Sequence, residues 1–229
     1  MSYTEKEFEE FKANELGLDD SFQFECAMCG NCCRSRQEPI PINGADIFRI
    51  ACTLNVSIEE IVAKHTNGYI GDASHVPVFV LKERLDGSCS FLRKGHCMIQ
   101  ENKPVVCALF PLGRYFDVQK QEFHYFVNPH TCQNGKKTGR EWTLREWLDE
   151  FKVNETEQMT AMWYELLSGI AAITCKMDRK AIKGELLGEL LFILYFNYDP
   201  QKPYNEQVKL NMDFAKKMFQ EKFHKKIKF

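Results

Sequence analysis

No run of apolar residues approaches the roughly 20 that a helix needs to cross a bilayer, so no membrane span is expected. An excess of one charge is missing too, since 30 lysines and arginines stand against 32 aspartates and glutamates, a net of −2. Such a balance exerts no general pull on nucleic acid or on an anionic membrane. The cysteine-bearing half also lacks the basic stripe with interleaved aromatics of a nucleic-acid surface. The first ten residues, Met1-Ser2-Tyr3-Thr4-Glu5-Lys6-Glu7-Phe8-Glu9-Glu10, are acidic and amphipathic, where a signal peptide is basic and then apolar. Repeats and low-complexity segments are absent. So are an H-E-x-x-H helix, a Ser-His-Asp arrangement and the glycine-rich strand–turn–helix that holds S-adenosylmethionine. These absences lead to the expectation of a cytoplasmic protein with neither a nucleic-acid partner nor a membrane span.

What the chain does have is cysteine, ten in 229 residues. In a reducing compartment clustered thiols bind metal more often than they form disulfides. Four fall within Cys26-Ala27-Met28-Cys29-Gly30-Asn31-Cys32-Cys33. A C-x-x-C pair directs two sulfurs at one centre, and Gly30 permits the positive φ of a tight turn just after it. Cys32 extends the run to C-x-x-C-x-x-C, the spacing that seats corners of an iron–sulfur cluster. Side chains on adjacent residues diverge, so Cys33 is expected to face a second site or to stay unligated. Four more thiols follow as Cys89-x7-Cys97-x9-Cys107-x24-Cys132, each at a turn or segment end. With the first four they make eight, enough for two four-thiolate sites. Cys52 and Cys175 lie on helical stretches among apolar neighbours and are read as small buried hydrophobes. His96 and His130, beside Cys97 and Cys132, are alternative ligands, although loop histidines are more often solvated.

The surrounding pattern is α+β: a cysteine-rich domain of short hairpins and helices over 1–140, then a helical subdomain over 141–229. Residues 4–16 read as a helix with a stripe of Phe8, Phe11 and Leu16. A second helix is expected at Gly44–Ala51, buried through Ile47, Ile50 and Ala51. Ser57 and Glu60 form a capping-box signature for a third, running to about His65. Val76–Leu81 reads as a strand, Asp86-Gly87 and Lys94-Gly95 as tight turns, and Lys103-Pro104 as a break before a helical turn with Cys107. Arg114–Val118 and Glu122–Val127 form a hairpin. From Trp142 the composition turns helical, over Thr143–Phe151, Glu155–Lys176, Arg179–Phe196 and Tyr204–Phe223. Leu186–Phe196, apolar almost all round, should be the central helix. The tail, Lys222–Phe229, reads as a solvated, fraying end rather than an anionic contact.

On Cys26-x2-Cys29-Gly30-x-Cys32-Cys33-Arg34, Cys89-Ser90-Phe91-Leu92, Cys97-Met98-Ile99, Pro104-x2-Cys107-x2-Phe110-Pro111 and Cys132 with Gly135 and Lys136, the chain resembles the YkgJ-like cysteine-cluster family. The resemblance covers roughly residues 20–150 and implies a zinc- or iron-chelating domain. It also brings in one enzymatic relative, the flagellin lysine N-methylase, a considerably longer protein with a similar cluster. Zinc ribbons present two C-x-x-C knuckles, and this chain has one overlapping set with the remaining thiols scattered singly. That pattern leans towards a [4Fe–4S] cluster on three or four of Cys26, Cys29, Cys32, Cys33, Cys89, Cys97, Cys107 and Cys132. Two zinc ions on all eight are the alternative. Three roles remain open: a metal-stapled module that binds a protein partner, a redox centre, or an iron–sulfur enzyme acting on a protein substrate.

Overall fold

The computed structural model describes residues 5–25, 30–34, 39–128 and 139–229. Over these the chain is α+β, with small antiparallel sheets giving way to a helical C-terminal region. The first helix, α1 (Glu5–Ala13), is shorter than its stripe suggests. Asn14 turns its amide back onto the Glu10 carbonyl (2.8 Å). Leu16 therefore belongs not to the helix but to strand β1 (Glu15–Leu16), which pairs with Tyr125 and Phe126. Strand β2 (Ser21–Gln23) follows, and β3 (Pro41–Ile42) leads into α2 (Gly44–Leu54). Asn43 caps α2 by accepting from Asp46 N (2.7 Å), and Asn55 closes it at φ 52°.

Ser57 caps α3 (Ile58–His65) by accepting from Glu60 N (3.2 Å). Only half of the expected capping box forms, because the Glu60 carboxylate bonds Lys64 Nζ instead (2.7 Å). Strands β4 (Thr66–Ile70) and β5 (Pro77–Leu81) complete a three-stranded sheet in the order β3-β5-β4. The hairpin β6 (Leu92–Arg93) and β7 (His96–Cys97) turns on Lys94 and Gly95, at φ 48° and 83°, the left-handed pair that a two-residue loop requires. After α4 (Val105–Leu109), β8 (Leu112–Asp117) and β9 (Glu122–Val127) form the expected hairpin, and β1 joins its β9 edge. Strand β10 (Glu141–Thr143) returns to pair with β2.

Helices α5 (Leu144–Glu150) and α6 (Val153–Thr174) come next, and Thr143 with Glu146 makes a full capping box for α5. Residues 179–196 run as one helix, with α7 (Arg179–Ala181) and α8 (Leu187–Leu191) each followed by a π-helical stretch, Ile182–Leu186 and Phe192–Phe196. It is central as expected: Leu186, Leu190, Ile193 and Leu194 have no exposed surface. The last helix is α9 (Tyr204–Phe223). The tail beyond it does not fray. His224 turns at φ 52°, Ile227 enters the core, and the Phe229 ring lies against Gly169 of α6 while the lysines stay exposed. Two apolar side chains among the lysines are enough to dock the segment.

Two apolar clusters organise the molecule. The larger joins α2, α3 and β5 to α6, α8 and α9; the smaller joins Phe22 and Phe24 to α4, β8, β9 and α5. Near residue 140 the element type changes, yet residues from either side of that point fill both clusters. The two sides meet closely at Gly44. Trp163 Nε1 donates to the Leu194 carbonyl (2.9 Å), one of the orphan acceptors at the end of the central helix, and Gly44 lies against both. A Cβ there would stand 2.5 Å from the Leu194 oxygen and closer still to Trp163 Nε1. Gly44→Ala, which in an open helix would be neutral or stabilising, is therefore expected to lower stability by about 1–3 kcal/mol. Urea unfolding against the parent checks the sign.

Candidate metal centre

Among the described cysteines, Cys32, Cys33, Cys89, Cys97 and Cys107 are brought towards one another by three turns and a hairpin. The first is the short 3-10 turn Asn31–Cys33, entered through Gly30 at φ 71° and closed by Cys33 N on the Gly30 carbonyl (2.9 Å). Its exit is fastened to the second: the Cys33 carbonyl accepts from Cys89 N (2.8 Å), and Arg34 pairs with Ser88. The turn before Cys89 is set by Gly87 at φ 72° and by Asp86, which accepts from Ser88 N (3.0 Å) and Oγ (2.6 Å). Arg84 donates to the Ser90 carbonyl (2.9 Å) and so holds the segment beyond it. The hairpin β6–β7 presents Cys97, and Met98 N returns to the Phe91 carbonyl (3.0 Å). The third turn begins α4, where Pro104 supplies the carbonyl for Cys107 N (2.8 Å).

Cys32 Sγ and Cys33 Sγ are 3.8 Å apart. The divergence expected of adjacent side chains does not hold here, because the 3-10 turn winds the two sulfurs towards the same space. Cys89, Cys97 and Cys107 each act electrostatically on Cys33, and Cys32 acts on Cys97. Five of the eight proposed ligands thus share one neighbourhood. Among the described residues, no three His, Cys, Asp or Glu side chains already stand as a group that could hold a metal ion. Cys26, Cys29, Cys132 and His130 lie outside the described residues. His96 is exposed on β7.

Cys52 and Cys175 are not the buried hydrophobes expected: both are exposed. Cys52 is on the outer side of α2, its thiol on the Pro200 carbonyl (3.4 Å), and Cys175 caps the end of α6. Which side of a helix is outer depends on its packing partners, and these come from distant sequence.

Burial and mutual repulsion govern the thiols. Cys107 is pushed up to about 12, by burial first and then by Cys89, Asp46 and Cys97, with Lys103 opposing. Cys97 is raised by burial, helped by Cys89 and Cys32 and opposed by the Ile99 N–H and Lys103. The bond to Cys33 and then burial raise Cys32, and the same bond lowers Cys33 against burial and the other thiols. Lys103 favours the thiolate at Cys32, Cys97 and Cys107 alike. The sequence showed it merely as the residue before a proline.

Asp46 was missed as well. Its carboxylate is buried on α2, accepts from Arg49 Nη2 (2.6 Å) and Val105 N (3.1 Å), and repels a Cys107 thiolate. A lone acid in the apolar run Gly44–Ala51 was the available signal.

Residues 25–137 match the model of the CxxCxxCC family, described as a "putative zinc- or iron-chelating domain". This stretch belongs to that family. No curated protein and no solved structure matches the chain. The CxxCxxCC domain begins just before Cys26 and ends just beyond Cys132, so it takes in every proposed ligand and leaves out Cys175 and the helices from β10 onwards. Soft thiols gathered at the edge of the core suit either metal named in the family description. Among the described residues no helix is long and apolar enough to cross a membrane.

A thiol raised above its ordinary range is protonated at neutral pH, and a metal takes the thiolate, so binding must displace those protons. Affinity therefore rises with pH and falls as pH drops. Adding zinc to weakly buffered metal-free protein is expected to acidify the solution, with affinity changing by more than about tenfold per pH unit. A pH electrode and chelator competition at three pH values check this.

Proposed function

We propose that the CxxCxxCC domain carries zinc on its thiolates and that the metal staples its loops into one structure. The observation that carries the reading is the 3.8 Å between Cys32 Sγ and Cys33 Sγ. Two thiolates on one tetrahedral ion with Zn–S near 2.3 Å are separated by about 3.8 Å along the tetrahedron's edge. In a [4Fe–4S] cluster each iron takes a single cysteine, which spreads the sulfurs much farther apart. The spacing thus favours zinc over the iron–sulfur cluster to which the scattered cysteines had leaned. Cys89, Cys97 and Cys107, in the same electrostatic neighbourhood, are the other described donors. Cys26, Cys29 and Cys132 join the set on their spacing, and eight thiolates serve two ions.

A stapling role follows from the elements that carry these ligands. The 3-10 turn with Cys32 and Cys33 has three residues, β7 with Cys97 has two and α4 with Cys107 has five. Elements so short have little stability of their own, so metal binding supplies folding energy to this part of the chain. A reducing compartment such as the cytoplasm would keep the thiols available.

Anaerobically purified protein is expected to be colourless and to hold zinc. Its melting temperature should fall on strong chelation, while α6 and α9 keep much of the helical signal. Cys33→Ser and Cys89→Ser should each lower the zinc content, and Cys175→Ser should keep the parental amount. Iron with visible absorption, or parental zinc in both Cys33→Ser and Cys89→Ser, would overturn the reading.

A further inference from the structure

We propose that Asp46 is a positioning residue for Cys107, holding the start of α4 so that this thiol faces the metal centre. The inference rests on Cys107 being a ligand, as set out above. The Asp46 side chain is 1% exposed, and Arg49, its partner, 12%. A carboxylate taken so far out of water is costly unless its bonds are well made.

Two of its bonds bear on α4. Asp46 Oδ1 accepts directly from Val105 N, the first residue of the helix (3.1 Å). It also holds Arg49, whose Nη2 donates to the Lys103 carbonyl two residues earlier (3.3 Å). The carboxylate therefore fixes the chain on both sides of Pro104, directly on one and through the guanidinium on the other. Pro104 has no N–H to give, so the anchors come from its neighbours. Its carbonyl then accepts from both Cys107 N (2.8 Å) and Ala108 N (3.0 Å). With five residues, α4 has little intrinsic stability, and the direction of Cys107 depends on what grips its first turn.

Asp46 is gripped in turn. Its own N–H donates to Asn43 Oδ1 (2.7 Å), and α2 is embedded in the larger cluster from Ala45 to Ala51. Its other oxygen, Oδ2, is buried without a hydrogen-bond partner, so a single oxygen carries both anchors. The group is hydrogen-bonded, buried and outside the ligand set, yet it orients a ligand, as second-layer groups do at metal sites.

The test is metal affinity in full-length protein, measured with zinc and a competing chromophoric chelator at a temperature where circular dichroism shows each variant folded. Asp46→Ala is expected to weaken zinc binding by about 10–100-fold. Asp46→Asn, which keeps an acceptor for the Val105 N–H, should lose measurably less. Phe219→Leu controls for stability alone. It opens the core fifteen residues along α9 from Tyr204, about 22 Å away, and Tyr204 packs on Phe48 of α2. This control should melt lower and bind zinc as the parent does. Parental affinity in folded Asp46→Ala, or an equal loss in Phe219→Leu, overturns the inference. If Asp46→Ala does not fold, parental affinity in Asp46→Asn overturns it instead. Cys107→Ser separates the two claims. If it binds as the parent does, Cys107 is not a ligand and the underlying reading fails there. If it loses zinc while the Asp46 variants keep it, the positioning role alone is wrong.

Discussion

Helix α4 faces two apolar clusters at once, and the site depends on that constraint. At 100° per residue, Val105, Ala108 and Leu109 lie on one side of the helix and Cys107 lies nearly opposite. The first three fill the smaller cluster, and Cys107 packs against the larger. Val106, between the two faces, is 41% exposed. A slip of one residue would put an apolar side chain among the thiols and Cys107 into the smaller core. The register of five residues thus decides which way Cys107, the proposed ligand, is presented, and the flanking proline and buried carboxylate act on that register.

The thiols pose an electrostatic problem that the fold does not solve alone. Cys32, Cys97 and Cys107 are pushed towards their neutral forms, with burial among the causes at all three, and neighbouring thiolates repel them. In the metal-free protein these three thiols are therefore protonated at neutral pH. Lys103 offsets part of the repulsion at three thiols. One ammonium cannot balance several thiolates, whereas a divalent ion in their midst balances two and bonds to all its ligands. A reducing environment and a soft cation are the two conditions under which this arrangement is self-consistent.

Much of this was legible in the sequence because it is local. Gly30, Asp86-Gly87 and Lys94-Gly95 turn where their dipeptides imply, and Ser57 caps the helix it precedes. In the apolar runs Ile47–Ala51 and Leu186–Tyr195, Ile47, Ile50, Ala51, Leu186, Leu190, Ile193, Leu194 and Tyr195 are buried as expected, while Phe192 is exposed. What was not legible depends on partners far along the chain. Leu16 leaves its helix to meet Tyr125, more than a hundred positions on. Ile227 and Phe229 dock because Gly169 leaves room on α6, which no pattern within the tail reveals. Cys52 and Cys175 sit beside apolar neighbours in sequence but on the outer sides of their helices. The proposal of zinc rests on a separation between adjacent sulfurs, a property of backbone conformation that spacing does not encode.

The change of composition near residue 140 hides a physical dependence. Helix α2, inside the cysteine-bearing half, does two things within its first turn. Gly44 lets it press against Trp163 and the end of the central helix, and Asp46, two residues later, reaches α4. Those positions differ by about 200° around the helix axis, so one points into the helical region and the other towards the thiols. The helical half therefore acts as a frame for the site rather than as an independent appendage. It fixes α2, α2 fixes the start of α4, and α4 sets the direction of Cys107. Cys107, the ligand proposed from a five-residue helix, is thus backed through α2 by a 22-residue helix, α6.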